Sequence, residues 1–388
     1  LYSKCICKKI FMKEIKAVHY CVIPKSNNNA GDNLLYELVR LLIDNYLTDV
    51  KIDWLIRSQW EVNCALDINK LGVDLALFGG GGLFLPDQKG ANKSNNTGWQ
   101  INIASDQYEK INPHIYGAAI GFNWFRKSKH PKSSIKESVK SFINKSKITG
   151  IRNYGSIDQI TKIIGGSQNI IWQPCPTTLI RKLCLSGVNL NLSNKIKRTI
   201  LSRNNLLDGK KYNIALNLSF DRLDQREIKL EDFKKLRFIL VDLIKKGHLI
   251  NYIAHKDLDL KAYEYIGEDI FNQIINISNL STEEVINEYT KMDIVLGGRG
   301  HSLMIPFGLR IPIISITTHD KQKFFMKDAG LENFSIELSK LSEYQIFLKV
   351  NELIQTMDDQ FVLIDKYQNL GIKAWEKYIN IINNNHKN

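Results

Sequence analysis

Gly297-Gly298-Arg299-Gly300-His301-Ser302 combines residue types that handle anions and protons. Two glycines permit a turn after an apolar strand. The residues that follow open a helix, whose free N–H groups favour negative charge. Arg299 offers a guanidinium fork suited to oxyanions, and His301 offers an acid/base group with an ordinary pKa of ~6.5. Gly300 and Ser302 complete the stretch as ligand contacts. Twenty residues on, Thr317-Thr318-His319-Asp320-Lys321 follows the next apolar strand, so Lys321 is expected to reach the pocket of His301. His319 is a further donor there, and Asp320 is expected to orient Lys321 or cap the helix. Arg152 ends an earlier apolar strand and would place a guanidinium across a cleft. His255, with Asp257 close behind it, would touch the ligand's edge.

Two N-terminal motifs join this set. In Asn29-Ala-Gly-Asp32, Asp32 reads equally as a helix N-cap and as a ligand contact. In Phe78-Gly-Gly-Gly-Gly-Leu83, Gly80, Gly81 and Gly82 would let the backbone approach an anion or a sugar. The run exceeds what a tight strand–helix turn needs. It is neither G-x-G-x-x-G nor a P-loop, because no Lys-Ser/Thr follows.

The elements that must position these residues alternate. Strands are predicted at Val18–Ile23, Asp74–Phe78, Ile115–Ile120, Ile148–Ile151 and Asn169–Trp172, with a helix at Leu34–Tyr46. A second series has strands at Asn213–Ser219, Leu249–Ala254, Asp293–Leu296 and Ile311–Ile316. Its helices fall at Leu230–Lys246, Ser281–Lys291, opened by a capping box, and Ser302–Phe307; more helices follow Ser342. Such alternation predicts an α/β protein of two doubly wound, Rossmann-like lobes facing a cleft, with C-terminal helices. The stretch Lys182–Lys211 is polar and weakly periodic, giving lobes of residues 1–190 and 191–388, the first carrying Arg152. In such sheets ligands bind beyond the carboxyl ends of the strands, where every motif above lies.

A chain of 388 residues, 44 % hydrophobic and 24 % charged, has the make-up of a globular protein and not of a disordered one. Six cysteines form no C-x-x-C pair and find no histidine cluster, so they read as free thiols, and neither a metal site nor a metal cofactor is expected. No apolar run reaches the ~18–20 residues of a membrane helix. The start, LYSKCICKKIFMKEIK, is too broken by lysines for a secretory leader, and residues 1–15 carry no weight in the fold. The location expected is cytoplasmic. Lys+Arg outnumber Asp+Glu by 53 to 40, a formal +13. A nucleic-acid binder would rest on this charge alone, since no recognition motif accompanies it.

These motifs, in this order, resemble the polysaccharide pyruvyl transferase family over roughly residues 18–335. The Arg299-x-His301 block carries most of the likeness, and Gly308-Leu-Arg-Ile-Pro312 matches a further element before a strand. The resemblance implies two lobes in the GT-B arrangement and phosphoenolpyruvate as donor. It also implies a pyruvate ketal formed on a sugar of a bacterial surface glycan or of its lipid-diphosphate-linked precursor. By position, Arg152, His301 and Lys321 match the family's donor-site Arg, His and Lys. Three places depart from the family's pattern: Gly300 replaces a larger apolar residue, His319-Asp320-Lys321 is a variant run, and Gln173-Pro-Cys-Pro176 lacks an acidic residue. A glycosyltransferase using a nucleotide-activated sugar is the alternative on the same scaffold.

The charge excess concentrates outside these motifs. Arg126–Lys147 holds eight Lys/Arg and one Glu; Asn194–Lys211 holds six Lys/Arg and one Asp. Each reads as a solvated lysine face or as a surface for an anionic acceptor or the inner membrane leaflet.

Overall fold

The computed structural model describes residues 12–23, 29–85, 100–122, 133–166, 169–203, 211–342 and 344–387. The first series builds six strands: β1 (Lys13–Cys21), β2 (Val50–Ser58), β3 (Leu75–Phe84), β4 (His114–Phe122), β5 (Ser146–Ile151) and β6 (Ile170–Trp172). The second builds β7 (Asn213–Asn217), β8 (Leu249–Ala254), β9 (Gln273–Asn276), β10 (Ile294–Gly297), β11 (Ile313–Thr317) and β12 (Ser335–Glu337). The helices of nine or more residues begin with α1 (Ala30–Tyr46), α2 (Ser133–Lys145), α3 (Tyr154–Ile164) and α4 (Asn194–Ser202). They continue with α5 (Leu230–Lys245), α6 (Thr282–Thr290), α7 (Gly300–Gly308), α8 (Asp320–Asp328), α9 (Gln345–Gln355) and α10 (Met357–His386).

Each series forms one parallel sheet, ordered β2-β1-β3-β4-β5-β6 and β12-β11-β10-β7-β8-β9. The strand order reverses between β1 and β3 in the first sheet and between β7 and β10 in the second. A crevice opens at such a reversal, because the two connections leave in opposite directions. Alternation along β1 and β3 sends Ile15, Ala17, Leu75 and Leu77 to a core shared with the second lobe. It sends Val18, Tyr20, Ala76 and Phe78 to a separate core with Phe142 of α2 and Ile160 of α3. The last strand of one sheet ends at Trp172 and the first of the next begins at Asn213, on either side of residue 190. Helix α10, about 45 Å long, lies along both lobes. Its Gln368 donates to the Phe307 and Gly308 carbonyls, Trp375 donates to the Pro174 carbonyl, and Asn383 donates to Asp49.

Several expectations need correction. Residues 13–15 do belong to the fold, as the start of β1. Helix α1 begins four residues earlier than predicted, at Ala30. Asn29 caps it by accepting from the Gly31 N–H, while Asp32 sits in the first turn and accepts from Asn29 Nδ2. Gly79–Gly82 does not turn into a helix but continues β3 to Phe84. A Cβ at Gly79 would lie 2.0 Å from the Ala118 carbonyl oxygen, so glycine lets β3 stay on β4 there. Strands β2, β9 and β12 went unpredicted. All three are edge strands, and β9 is largely exposed, so little apolar pattern marks them.

Candidate active site

The carboxyl ends of both sheets face one cleft, with a cavity of about 230 Å³. That is below the roughly 300–1,000 Å³ of sites for drug-sized ligands. The first lobe contributes Val22 after β1, Gln59 and Trp60 after β2, Gly82 on β3 and Arg152 after β5. Asn29 and Asp32 at the start of α1, with Leu85 and Gln100, complete this wall. The second lobe contributes Asp221, Arg222 and Arg226 after β7, and His255 and Lys256 after β8. Arg299, Gly300, His301 and Met304 follow β10, and His319 and Lys321 follow β11. Among the described residues, six cations and two carboxylates line the cavity, so its interior favours anions.

The second-lobe cations are cross-linked. Arg299 donates through Nε to Asp259 Oδ2 (2.7 Å) and through Nη2 to Asp259 Oδ1 (2.5 Å), and both residues are buried. Arg226 donates to Asp221 Oδ1 (3.0 Å) and to Thr318. Asp259 also accepts from the backbone N–H groups of His255 and Lys256. Burial works against the charge on Arg299, but Asp259 and Asp221 outweigh it and hold its pKa above the usual arginine range. Burial likewise opposes ionised Asp221, yet Arg299 and Arg226 keep its carboxyl well below the usual range. Arg299 lines the cavity, but the edge of its fork suited to a bidentate oxyanion is engaged by Asp259.

Arg152 is the opposite case. Its guanidinium is 2 % exposed, and Nε, Nη1 and Nη2 have no hydrogen-bond partner among the described residues. It lies flat over β4: a Cβ at Gly121 would sit 2.1 Å from Nη2. A buried cation left this way costs several kcal/mol, roughly, until an anion joins it.

His301 lies in the first turn of α7, which starts at Gly300, two residues before the predicted Ser302. Its Nε2 is 3.7 Å from Cys175 Sγ and its Nδ1 is 3.7 Å from Asp32 Oδ1. Gly31 seats the ring across the lobe boundary, since a Cβ there would lie 2.3 Å from His301 Cβ and Nδ1. The Ala30 N–H donates to the His255 carbonyl beside it. Burial, then Arg152 and Lys321, push the His301 pKa well below 6.5. The expected titration near 6.5 is not met, and the ring is neutral. Lys321 comes down to about 7, through burial and then Arg152. A side chain at residue 300 would press on Lys321, whose Cε would be 3.2 Å from an added Cβ, which gives a reason for Gly300.

Other expected contacts divide. His255 lines the cavity, but its Nε2 is bonded to Tyr289 Oη (2.5 Å), and burial followed by Arg299 lowers its pKa to about 3. His319 also lines it and lies beside Arg226. Gly82 is on the wall; Gly80 and Gly81 are not among the lining residues. Ser302 is turned inward, accepting from the Arg299 N–H and donating to the Arg299 carbonyl. Asp320 begins α8, and His319 is its N-cap position. Asp257 accepts from Asn276 and Ser278, and the carboxylate that matters is Asp259. Sequence reasoning missed Asp221, Arg222, Arg226, Lys256, Asp259, Gln59, Trp60 and Gln100. The first five follow predicted strands at the carboxyl end, so the rule already used for His301 would have found them.

Among the described residues no group of three or more His, Cys, Asp or Glu could hold a metal ion. None of the described helices is long and apolar enough to cross a membrane. The cysteines Cys21, Cys64, Cys175 and Cys184 are free; Cys5 and Cys7 lie outside the described residues. So do residues 126–132 and 204–210 of the two basic stretches. Within the second, Arg203 donates to the Thr290 and Met292 carbonyls.

The family model for polysaccharide pyruvyl transferase matches residues 29–320. The sequence matches no curated protein at a significant level. Among solved structures, S. aureus MnaA with UDP superposes with a TM-score of 0.54 at 12 % identity, over 96 % of each chain. The UDP-GlcNAc 2-epimerase of Neisseria meningitidis bound to UDP-GlcNAc gives 0.53 at 11 %, over 95 % of this chain and 99 % of that one. A glycosyltransferase from Rickettsia africae gives 0.51 at 12 %, over 96 % and 100 %. At this identity the likeness shows a shared fold of two Rossmann-like lobes, as in GT-B enzymes.

Proposed function

This chain belongs to the polysaccharide pyruvyl transferase family, and on that premise we propose that it moves the pyruvyl group of phosphoenolpyruvate onto a sugar. The product is a pyruvate ketal on a surface polysaccharide or its lipid-linked precursor. The observation that carries the reading is Arg152, a buried guanidinium without a partner among the described residues, in a small cationic cavity with Lys321 and neutral His301. Phosphoenolpyruvate is a compact molecule with a carboxylate and a phosphate, and it supplies the anion that Arg152 lacks.

The chemistry follows from the groups. One acceptor hydroxyl oxygen bonds to the phosphate-bearing enol carbon while the methylene carbon takes a proton. The carbon–oxygen bond to phosphate then breaks, and a neighbouring hydroxyl closes the ketal. Of the two hydroxyl protons, one ends on the new methyl group and one on inorganic phosphate. His301, held neutral, is the base for the attacking hydroxyl. Lys321, near pKa 7, is matched to donating a proton and to balancing charge on the departing phosphate. Arg152 receives one anionic end of the donor. Arg299 acts as a fixed charge behind the cavity.

The test is incubation with phosphoenolpyruvate and candidate glycan acceptors, following phosphate release and the mass gain of a ketal. His301→Ala should abolish both while leaving the far-ultraviolet circular dichroism unchanged. Turnover of a nucleotide sugar with no phosphate release from phosphoenolpyruvate would replace this reading by the glycosyltransferase one. The same reading assigns the basic stretches to an anionic acceptor or membrane face, which salt-sensitive binding to anionic liposomes tests.

A further inference from the structure

The cleft wall at the end of β2 has no counterpart in the cationic half. Ser58 accepts from the Trp60 N–H and fixes a short 3-10 turn, Gln59–Glu61, at the carboxyl end of the strand. This turn puts two unlike side chains on the cavity. Trp60 lines the cavity and is 38 % exposed, although most large apolar side chains of this lobe are buried. Gln59 is fully buried, donates from Nε2 to Gln100 Oε1 (3.2 Å), and has no partner for its own Oε1 among the described residues. A buried carbonyl oxygen without a donor is a standing penalty that native structures rarely keep.

An aromatic face beside an amide oxygen in need of a donor, with apolar Val22 and Leu85 on the same wall, suits a neutral, amphipathic ligand. A pyranose ring fits this description: weakly positive C–H bonds on one face and hydroxyls around the edge. The C–H face meets the negative face of the indole, and an edge hydroxyl donates to Gln59 Oε1. The cations that would hold an anion lie on the other walls.

We propose that Trp60 and Gln59 form the subsite for the sugar ring of the acceptor, with Trp60 as stacking platform and Gln59 as hydroxyl acceptor. This names the acceptor side of the pyruvyl transfer proposed above and rests on that reading for its place in the reaction. It does not depend on that reading for binding. The sugar would enter from the first lobe, with its reacting hydroxyls turned toward His301 and the anionic donor on the cationic side.

The experiment is saturation-transfer NMR on the full chain with methyl glycosides of glucose, galactose, mannose and their 2-acetamido forms, compared across wild type, W60F, W60A and Q59L. At least one glycoside should bind through its ring protons. W60A should weaken it about tenfold or more and W60F by less, because a smaller ring keeps part of the stacking. Q59L should lose contrast between a glycoside and its deoxy analogue. Phosphoenolpyruvate binding, read by calorimetry, should be the same in all four proteins. Absence of glycoside binding to wild type, or equal binding to W60A, overturns the subsite. So does a titration in which UDP, and not the glycosides, is the ligand whose binding W60A removes. Failure of wild type to bind phosphoenolpyruvate would strike the pyruvyl-transfer reading and leave the subsite judged by the glycoside titrations alone.

Discussion

Arg152 and Arg299 are the same residue type, both buried, on opposite walls of one cavity, and the protein treats them in opposite ways. Arg299 is clasped by Asp259 through two hydrogen bonds and steadied further by Asp221. Arg152 lies over Gly121 with all three guanidinium nitrogens unpaired among the described residues. A buried charge needs a partner. Where the chain supplies it, the arginine is part of the scaffold; Arg152, unpaired among the described residues, is the one that the proposed function gives to the donor. The residue's type and its strand-end position are alike in both cases, so only the partner tells them apart.

Four measurements would break or sharpen that contrast. The largest effect is expected from Asp259→Asn, which removes the bidentate carboxylate from buried Arg299 and leaves it only the longer contacts to Asp221, and should cost about 3–5 kcal/mol of stability in chemical denaturation. An unchanged midpoint would remove Asp259 from the scaffold. Arg152→Met should do the reverse, leaving stability equal or higher while transfer falls about 10²–10³-fold, as for loss of one preorganised charge contact. If Arg152→Met instead unfolds the protein, the two arginines are not different in kind.

Gly31→Ala probes how the lobes jointly hold His301. Its Cβ would intrude on the imidazole, so transfer should drop by at least about tenfold, with overpacking costing about 1–3 kcal/mol. Anion affinity, which does not run through the seat of that ring, should barely move. The smallest effect concerns Lys321, whose pKa is lowered to about 7 by burial and the nearby Arg152. The folded protein therefore holds this proton less tightly than the unfolded chain, whose lysine pKa is ~10.4. Between about pH 7 and 10 the unfolded state binds more protons, so this group makes stability rise with pH there. A bound anion pulls the other way and draws a proton onto Lys321. At pH 8, phosphoenolpyruvate binding should take up protons, seen as a heat that varies with the buffer's ionisation enthalpy, and Lys321→Met should diminish the uptake. Identical heats in all buffers for wild type would refute the coupling.

The strand-end rule made much of the site legible. His301, Lys321, Arg299, Arg152, Asp32 and His255 all follow apolar strands in the sequence, and all line the cavity. Gly80, Gly81 and Ser302 were misjudged for a local reason. A glycine needed to keep one strand against another looks in sequence like a glycine needed for a ligand. A serine at a helix start looks alike whether it caps or contacts. The edge strand β2 was invisible because half its residues face solvent, and with it went Gln59 and Trp60.

By itself the sequence determined two doubly wound lobes, the strand ends where chemistry collects, and a family whose motif residues stand in order. Apolar period and motif spacing are local properties, and a linear chain carries them openly. Tertiary structure alone decided which arginine is locked by a carboxylate and which has no partner among the described residues. It also decided that His301 is neutral while Lys321 titrates near 7, and that Gly31 of one lobe seats a histidine of the other. These depend on burial and on charges brought within a few ångströms from segments as far apart as residues 152 and 301, and no spacing along the chain encodes that distance.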